Sequence, residues 1–265
     1  MITTRRTLLG GITATVIATG LQSRLLLAQE GTPVAVSDAT SAAVDGAPGY
    51  AIARLRTVPS EELNSAVFPD VMRNFLPDTA AIPGFEGYIF AFVDADPATS
   101  ITVTLLADET AVTAADEVAA EYVAQMDPRF DVVTPLAEHG PVRIFAMTTK
   151  PASELPPFLH GTTLRLRNQT NAPDFDLGAG IATAIDTLVP IFLAQPGFVL
   201  YCWFEREGGR LVAEIWESLE AMEAGQEALT AWREEHFDTP TASETTESLG
   251  TIGYAEIVAL QQLTS

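Results

Sequence analysis

A fifteen-residue stretch occurs twice in this chain. Residues 76–90, Leu76-Pro77-Asp78-Thr79-Ala80-Ala81-Ile82-Pro83-Gly84-Phe85-Glu86-Gly87-Tyr88-Ile89-Phe90, are echoed by residues 189–203, Val189-Pro190-Ile191-Phe192-Leu193-Ala194-Gln195-Pro196-Gly197-Phe198-Val199-Leu200-Tyr201-Cys202-Trp203. Pro77, Ala81, Pro83, Gly84, Phe85 and Tyr88 return as Pro190, Ala194, Pro196, Gly197, Phe198 and Tyr201, a step of 113 residues from Pro83 to Pro196. That period is too long for a solenoid, whose units run roughly 20–50 residues, so it marks a duplicated domain.

Around the shared segment both copies show the same order of hydrophobic periods, β-α-β-β-α-β. The first strands are expected at 50–57 and 160–167, with Leu55-Arg56 matching Leu166-Arg167. Helices follow at 61–81 and 178–195, each with a proline six residues before Pro-Gly-Phe that should kink or divide the last turns. Pro-Gly then stops the helix and turns the chain into a second strand, 85–94 or 198–205. Short hairpins at 95–99 and 207–209 lead to third strands at 100–106 and 210–216. Second helices are expected at 110–126 and 219–236, and fourth strands at 141–147 and 251–260.

A β-α-β-β-α-β unit makes a ferredoxin-like four-stranded antiparallel sheet with both helices on one face. Strand 198–205 is apolar on both sides, so its sheet needs cover on both faces. The expected fold class is therefore α+β, with two ferredoxin-like repeats (49–149 and 159–265, linker 150–158) packed sheet to sheet as an intramolecular dimer.

Residues 1–28 carry Arg5, Arg6 and Arg24, no acid, and an apolar run from Leu8 to Leu21. The run is too short for a membrane span and reads as a signal peptide. Thr4-Arg5-Arg6-Thr7-Leu8-Leu9 resembles a twin-arginine export signal, with cleavage expected after Ala28. Residues 29–48 are small, polar and aperiodic and read as a disordered leader. Losing 1–28 removes three positive charges and takes the formal charge from −21 to −24. So acidic a mature chain is a poor partner for nucleic acid or anionic membrane. The expectation is an exported protein, periplasmic, wall-associated or secreted, and monomeric as a pseudo-dimer. Cys202 is the only cysteine, so no intrachain disulfide can form.

Helix, Pro, Pro-Gly-Phe, aromatic strand, then Trp216-Glu217-Ser218-Leu219-Glu220-Ala221-Met222 opening a helix resembles the antibiotic-biosynthesis-monooxygenase type of dimeric α+β barrel. The likeness spans both copies and is clearer in the second. The resemblance implies a fold shared by cofactor-independent oxygenases, haem-degrading enzymes and proteins without known activity. Haem-degrading members use a Trp ending the third strand, a His about ten residues later and an Asn on the first strand. Trp216 matches the first; the His position falls at Gly225 or Gln226; Asn168 lies off the regular alternation. In the first copy Leu106 or Ala107 stands where Trp216 does, so a working pocket is expected in the second copy.

Leu219, Met222, Leu229 and Trp232 are spaced as the inward stripe of the second helix, with Gln226 beside it. The candidate pocket is Trp216, Tyr201, Trp203, Gln226, Met222 and His160, and the plainer reading of its aromatics is core packing. His139, His160 and His236 have no partner at metal-ligand spacing, and Cys202 sits mid-strand without a basic neighbour, as a buried thiol would. No cofactor or metal is expected. Two functions follow: a binding protein or non-catalytic relative holding a small apolar or aromatic ligand, or none; or cofactor-independent oxygenation of an aromatic or quinol-like substrate in the second copy.

Overall fold

The computed structural model describes residues 47–262, so the expected signal peptide and nearly all of the expected leader lie outside the described residues. The first half runs β1 (Tyr50–Thr57), α1 (Glu61–Asp70), a π-turn (Val71–Phe75), α2 (Leu76–Ala80), β2 (Phe85–Val93), β3 (Thr99–Leu106), α3 (Glu109–Gln125) and β4 (Val133–Met147). The second runs β5 (Thr163–Asn171), α4 (Leu177–Thr183), a π-turn (Ala184–Leu188), α5 (Val189–Leu193), β6 (Phe198–Arg206), β7 (Gly209–Trp216), α6 (Leu219–His236) and β8 (Ala242–Ile257), and α7 (Val258–Gln262) follows.

All eight strands close into one antiparallel barrel in the order β1-β3-β2-β8-β5-β7-β6-β4. Each half contributes four neighbouring strands. The halves are joined by β4 and β8, far longer than their expected apolar cores at 141–147 and 251–260. Residues 133–141 of β4 pair with β1, then Val142–Met147 pair with β6. β8 likewise pairs first with β5 and then with β2. The two halves thus share edges as well as inner faces, while residues 133–140 of β4 and 242–249 of β8 are paired on one side only. Residues 258–260, expected as strand, instead open α7.

One apolar cluster draws on every strand: Ala51, Ile89, Val103, Phe145, Leu164, Cys202, Leu211 and Ile252 are among its members. Period-2 alternation puts these side chains on one face of the sheet and their neighbours on the other, under the helices. The expected linker, 150–158, joins the same core through Leu155, and Leu159 just beyond it does the same, while Phe158, at a left-handed φ of 52°, stacks on Tyr254.

The duplicated prolines account for the divided helices. Pro77 and Pro190 lack the N–H that would bond the carbonyl four residues back, and the preceding turn widens, so that Leu76 N–H donates to Val71 O and Val189 N–H to Ala184 O. Gly84 and Gly197 then take left-handed φ of 87° and 76° to swing the chain into the sheet.

The first strand of the second half is displaced from its expected place. Residues 157–159 form a 3₁₀ turn and Gly161 has φ 81°, so β5 begins at Thr163 rather than at 160. Tyr50 faces Leu106 across the sheet just as Thr163 faces Trp216. By this register Arg54 is the counterpart of Arg167, Arg56 of Gln169, and Ile52 of Arg165. The sequence match of Leu55-Arg56 with Leu166-Arg167 is off by two residues.

Candidate functional site

The chemistry-bearing side chains collect on the outer face of the second-half sheet, under α4, its π-turn and α6. Alternation on β5 directs Arg165, Arg167 and Gln169 outward, and on β7 Arg210, Val212, Glu214 and Trp216. β6 adds Tyr201 and Trp203. Met222, Gly225, Leu229 and Trp232 of α6 press down on them. Leu219, expected in that stripe, opens the helix and is 49% exposed; Gly225 takes the fourth inward place.

At the base of the site lies an ion triad. Glu214 is wholly buried and accepts from both Arg165 and Arg167, themselves buried. Arg165 also donates to Gln226 Oε1 at 2.6 Å, and Trp216 Nε1 donates to Glu214 Oε2 at 3.3 Å. Burial pushes the Glu214 carboxyl up, but the guanidiniums of Arg167 and Arg165 outweigh it and hold the group below its ordinary range. Glu214 is thus a fixed anion and a poor proton acceptor.

Trp216 is sealed. Its ring packs edge-on against Phe192 and Phe198, and a Cβ at Gly225 would lie 2.2 Å from its Cη2. The indole therefore occupies the space that a histidine at 225 would need, and no axial imidazole for a haem fits there.

Beyond the triad a narrow cleft opens, walled by Phe175, Tyr201, Trp203, Trp232 and Phe237, with Arg167, Arg210 and Arg233 among its polar groups; its cavity is about 30 Å³. Arg210 stacks between Phe175 and Trp203, 5.0 and 5.2 Å from the ring centroids. It donates to Gln169 Oε1, Asn171 Oδ1, and the carbonyl and hydroxyl of Thr241, all neutral. Burial first, then the nearby Arg233 and Arg167 charges, pull its guanidinium down to about 10, still protonated at neutral pH. Burial raises the Tyr201 phenol to about 12.

Of the residues singled out in the sequence, Tyr201 and Trp203 line the cleft. Gln226 and Trp216 sit beneath it in the triad, and Met222 packs in the same apolar cluster. His160 lies apart, exposed, its Nδ1 3.1 Å from Gly253 O. His236 rests on the Trp232 ring with Nδ1 at 2.9 Å from Trp232 O. Among the described residues no group of three or more His, Cys, Asp or Glu side chains is placed to hold a metal ion. The four arginines and Glu214 were missed in the sequence. For Arg165, Arg167, Arg210 and Glu214 the signal was Arg165-Leu166-Arg167 and Arg210-Leu211-Val212-Ala213-Glu214, charges at alternate positions on strands that otherwise read as core; Arg233, on α6, carried none.

The first half offers less. Its equivalent space, beside Arg56, Phe90, Ser100 and Tyr122, is about 10 Å³. Arg54 there is neutralised by Asp116 of α3, the position that Gln226 holds in α6. Larger hollows lie elsewhere: about 460 Å³ beside Arg73 and Asn74, which gathers fewer aromatic walls, and about 480 Å³ beside Glu109 and Thr113, which is open to solvent.

No family model matches the chain, and no curated protein matches it. Solved structures do. A candidate monooxygenase from Fusobacterium nucleatum aligns with a TM-score of 0.60 at 11% identity, covering 79% of this chain and 95% of that one. A candidate chlorite dismutase aligns at 0.54 and 11%, covering 82% and 98%. An anthrone oxidase-like protein aligns at 0.51 and 14%, covering 80% and 94%. At these identities the likeness is one of fold alone: a mixed α+β architecture with a closed eight-stranded antiparallel barrel.

Proposed function

We propose that this chain is an exported small-molecule-binding protein, built from two ferredoxin-like repeats of one ancestral unit, whose ligand site is the cleft under α6 in the second half. The observation that carries the reading is the pairing of aromatic walls with a lack, among the described residues, of any competent base. Glu214 is held ionised by two arginines, Tyr201 keeps its proton far above neutral pH, and no histidine lines the cleft. Oxygenation without a cofactor needs a group that removes a substrate proton; binding does not. The twin-arginine signal at 1–28 and a monomeric state belong to the same proposal.

The oxygenase reading, acting on an aromatic or quinol-like substrate, is favoured by the Trp216-bearing motif and by fold neighbours described as a candidate monooxygenase and an anthrone oxidase-like protein. One paired experiment separates the two. Thermal shift against a panel of small aromatics should find a ligand; at a hundredfold excess over Kd it adds about 2.7 kcal/mol, or roughly 5–11 °C for a domain of this size. Oxygen uptake with hydroquinones and anthrones should stay at background. Turnover that is lost in Trp216→Phe would replace the binding reading with the enzyme, and a panel without a single shift would remove the binding reading.

A further inference from the structure

We propose that the cleft of the second half is a carboxylate site, whose ligand is a small organic acid held by its anionic head against Arg233 and Arg210. The inference rests on the reading that this cleft binds a small molecule, and it adds the ligand's charge.

The chain has 35 acidic residues and only 14 lysines and arginines, yet among the described residues three of those arginines line this one cleft and no Asp or Glu does. Arg165 and Arg167 share a single carboxylate, Glu214. Arg210 is 4% exposed and bonded only to neutral acceptors. Arg233, half-buried on α6, makes no hydrogen bond or ion pair among the described residues. Burial and the Arg167 charge both disfavour its cation. A cluster of like charges in a partly dry site is unfavourable in itself, and an anion relieves it. Trp203, a wall of the cleft, also keeps its Nε1–H buried without an acceptor among the described residues, and such a donor is uncommon unless something else completes it.

The duplication supplies an internal comparison. The position of Arg210 is Ser100 in the first half, that of Arg233 is Val123, and that of Trp203 is Phe90; there Arg56, with Arg54 nearby, lies over the Phe75 ring. Cations at the positions of Arg210 and Arg233 and an indole donor at that of Trp203 were not required to build the fold, since the first half builds it without them. A cavity of about 30 Å³ suits a carboxylate head, taking roughly 10–15 Å³ for each water-sized group. Phe175 and Phe237 leave apolar wall for a flat body toward the mouth.

The test uses the full mature chain, with tryptophan fluorescence and calorimetry as readouts and sodium benzoate, benzamide and sodium acetate as probes. Charge-assisted hydrogen bonds predict benzoate at least about tenfold tighter than benzamide. Arg233→Met, which keeps the length of the side chain, should bring benzoate down to the level of benzamide, while Arg129→Met in the first half leaves it unchanged. Acetate binding as tightly as benzoate identifies a small carboxylate as the ligand; acetate binding far more weakly identifies an aromatic acid. Benzamide equal to benzoate, or benzoate binding untouched by Arg233→Met, overturns the carboxylate site and leaves the ligand cleft standing. No response to any of the three probes overturns the carboxylate site, while the aromatic panel decides separately whether the cleft binds at all.

Discussion

Glu214→Gln isolates the charge at the base of the site, because glutamine keeps the shape and one acceptor oxygen. In the wild type Arg165 and Arg167 both end on this carboxylate, and all three side chains are at most 4% exposed. Removing one partner of a buried ion pair costs about 3–5 kcal/mol, because the surviving charge is stranded. Arg165 keeps its bond to Gln226, whereas Arg167 has no other hydrogen-bond partner among the described residues. The expected loss is therefore about 3–5 kcal/mol, a fall in Tm of roughly 6–20 °C at 2–4 °C per kcal/mol for this size. The pH dependence has a definite sign. The folded Glu214 carboxyl is held below its unfolded value, so its stabilisation is complete above the ordinary carboxylate range, about 4.3. It fades as pH falls through the folded value. Thermal melts of both proteins from pH 7 down to 3 should show the gap closing toward the acid end. A variant within about 1 kcal/mol of wild type at pH 7, or a gap that widens on acidification, would refute the account of the triad.

Three further substitutions or probes address the packing. Gly225→Ala should gain about 1 kcal/mol of helix propensity but lose about 1–3 kcal/mol to overpacking, since its methyl lands 2.2 Å from Trp216; a net fall in Tm with altered near-ultraviolet circular dichroism is expected, and a stabilised variant contradicts the fit. Gly197→Ala, at φ 76° with Ala221 Cβ 2.7 Å away, should cost about 1–3 kcal/mol in a denaturant titration; no change in midpoint would show that the turn relaxes freely. Cys202 is wholly buried in the barrel and its thiol is pushed up to about 12, so a thiol reagent should label it only at the rate of unfolding, and prompt labelling of native protein would argue against a packed interior.

How much of this was legible in the sequence depends on which interaction each element answers to. Pro77, Pro83-Gly84 and their counterparts punctuate the chain locally, and the helices and hairpins lie close to where they indicate. The long outer reaches of β4 and β8 are largely exposed on both faces; they are strand because β1 and β5 offer a ladder, a tertiary cause that no local period reports. The same holds for the start of β5, where Leu166-Arg167 imitates Leu55-Arg56 but the hydrogen-bond register selects Arg54 as the partner of Arg167. At the site, Tyr201 and Trp203 could be picked out as aromatics on a doubly apolar strand. The arginines could not be placed, because their meaning lies in what they lack: whether Arg210 or Arg233 meets a carboxylate is decided by side chains from four separate strands and helices. Trp216 shows the reverse case, a residue conspicuous in sequence that Gly225 seals away.

All three tryptophans lie in the second half, two on the cleft and one beneath it. Fluorine NMR of protein labelled with 5-fluorotryptophan, titrated with benzoate, therefore reads the site directly. The account predicts saturable shifts of the Trp203 and Trp232 resonances, assigned by single Trp→Phe variants, while that of Trp216 stays in place. A spectrum in which Trp216 alone moves, or in which none of the three responds to any ligand that stabilises the protein, would contradict it.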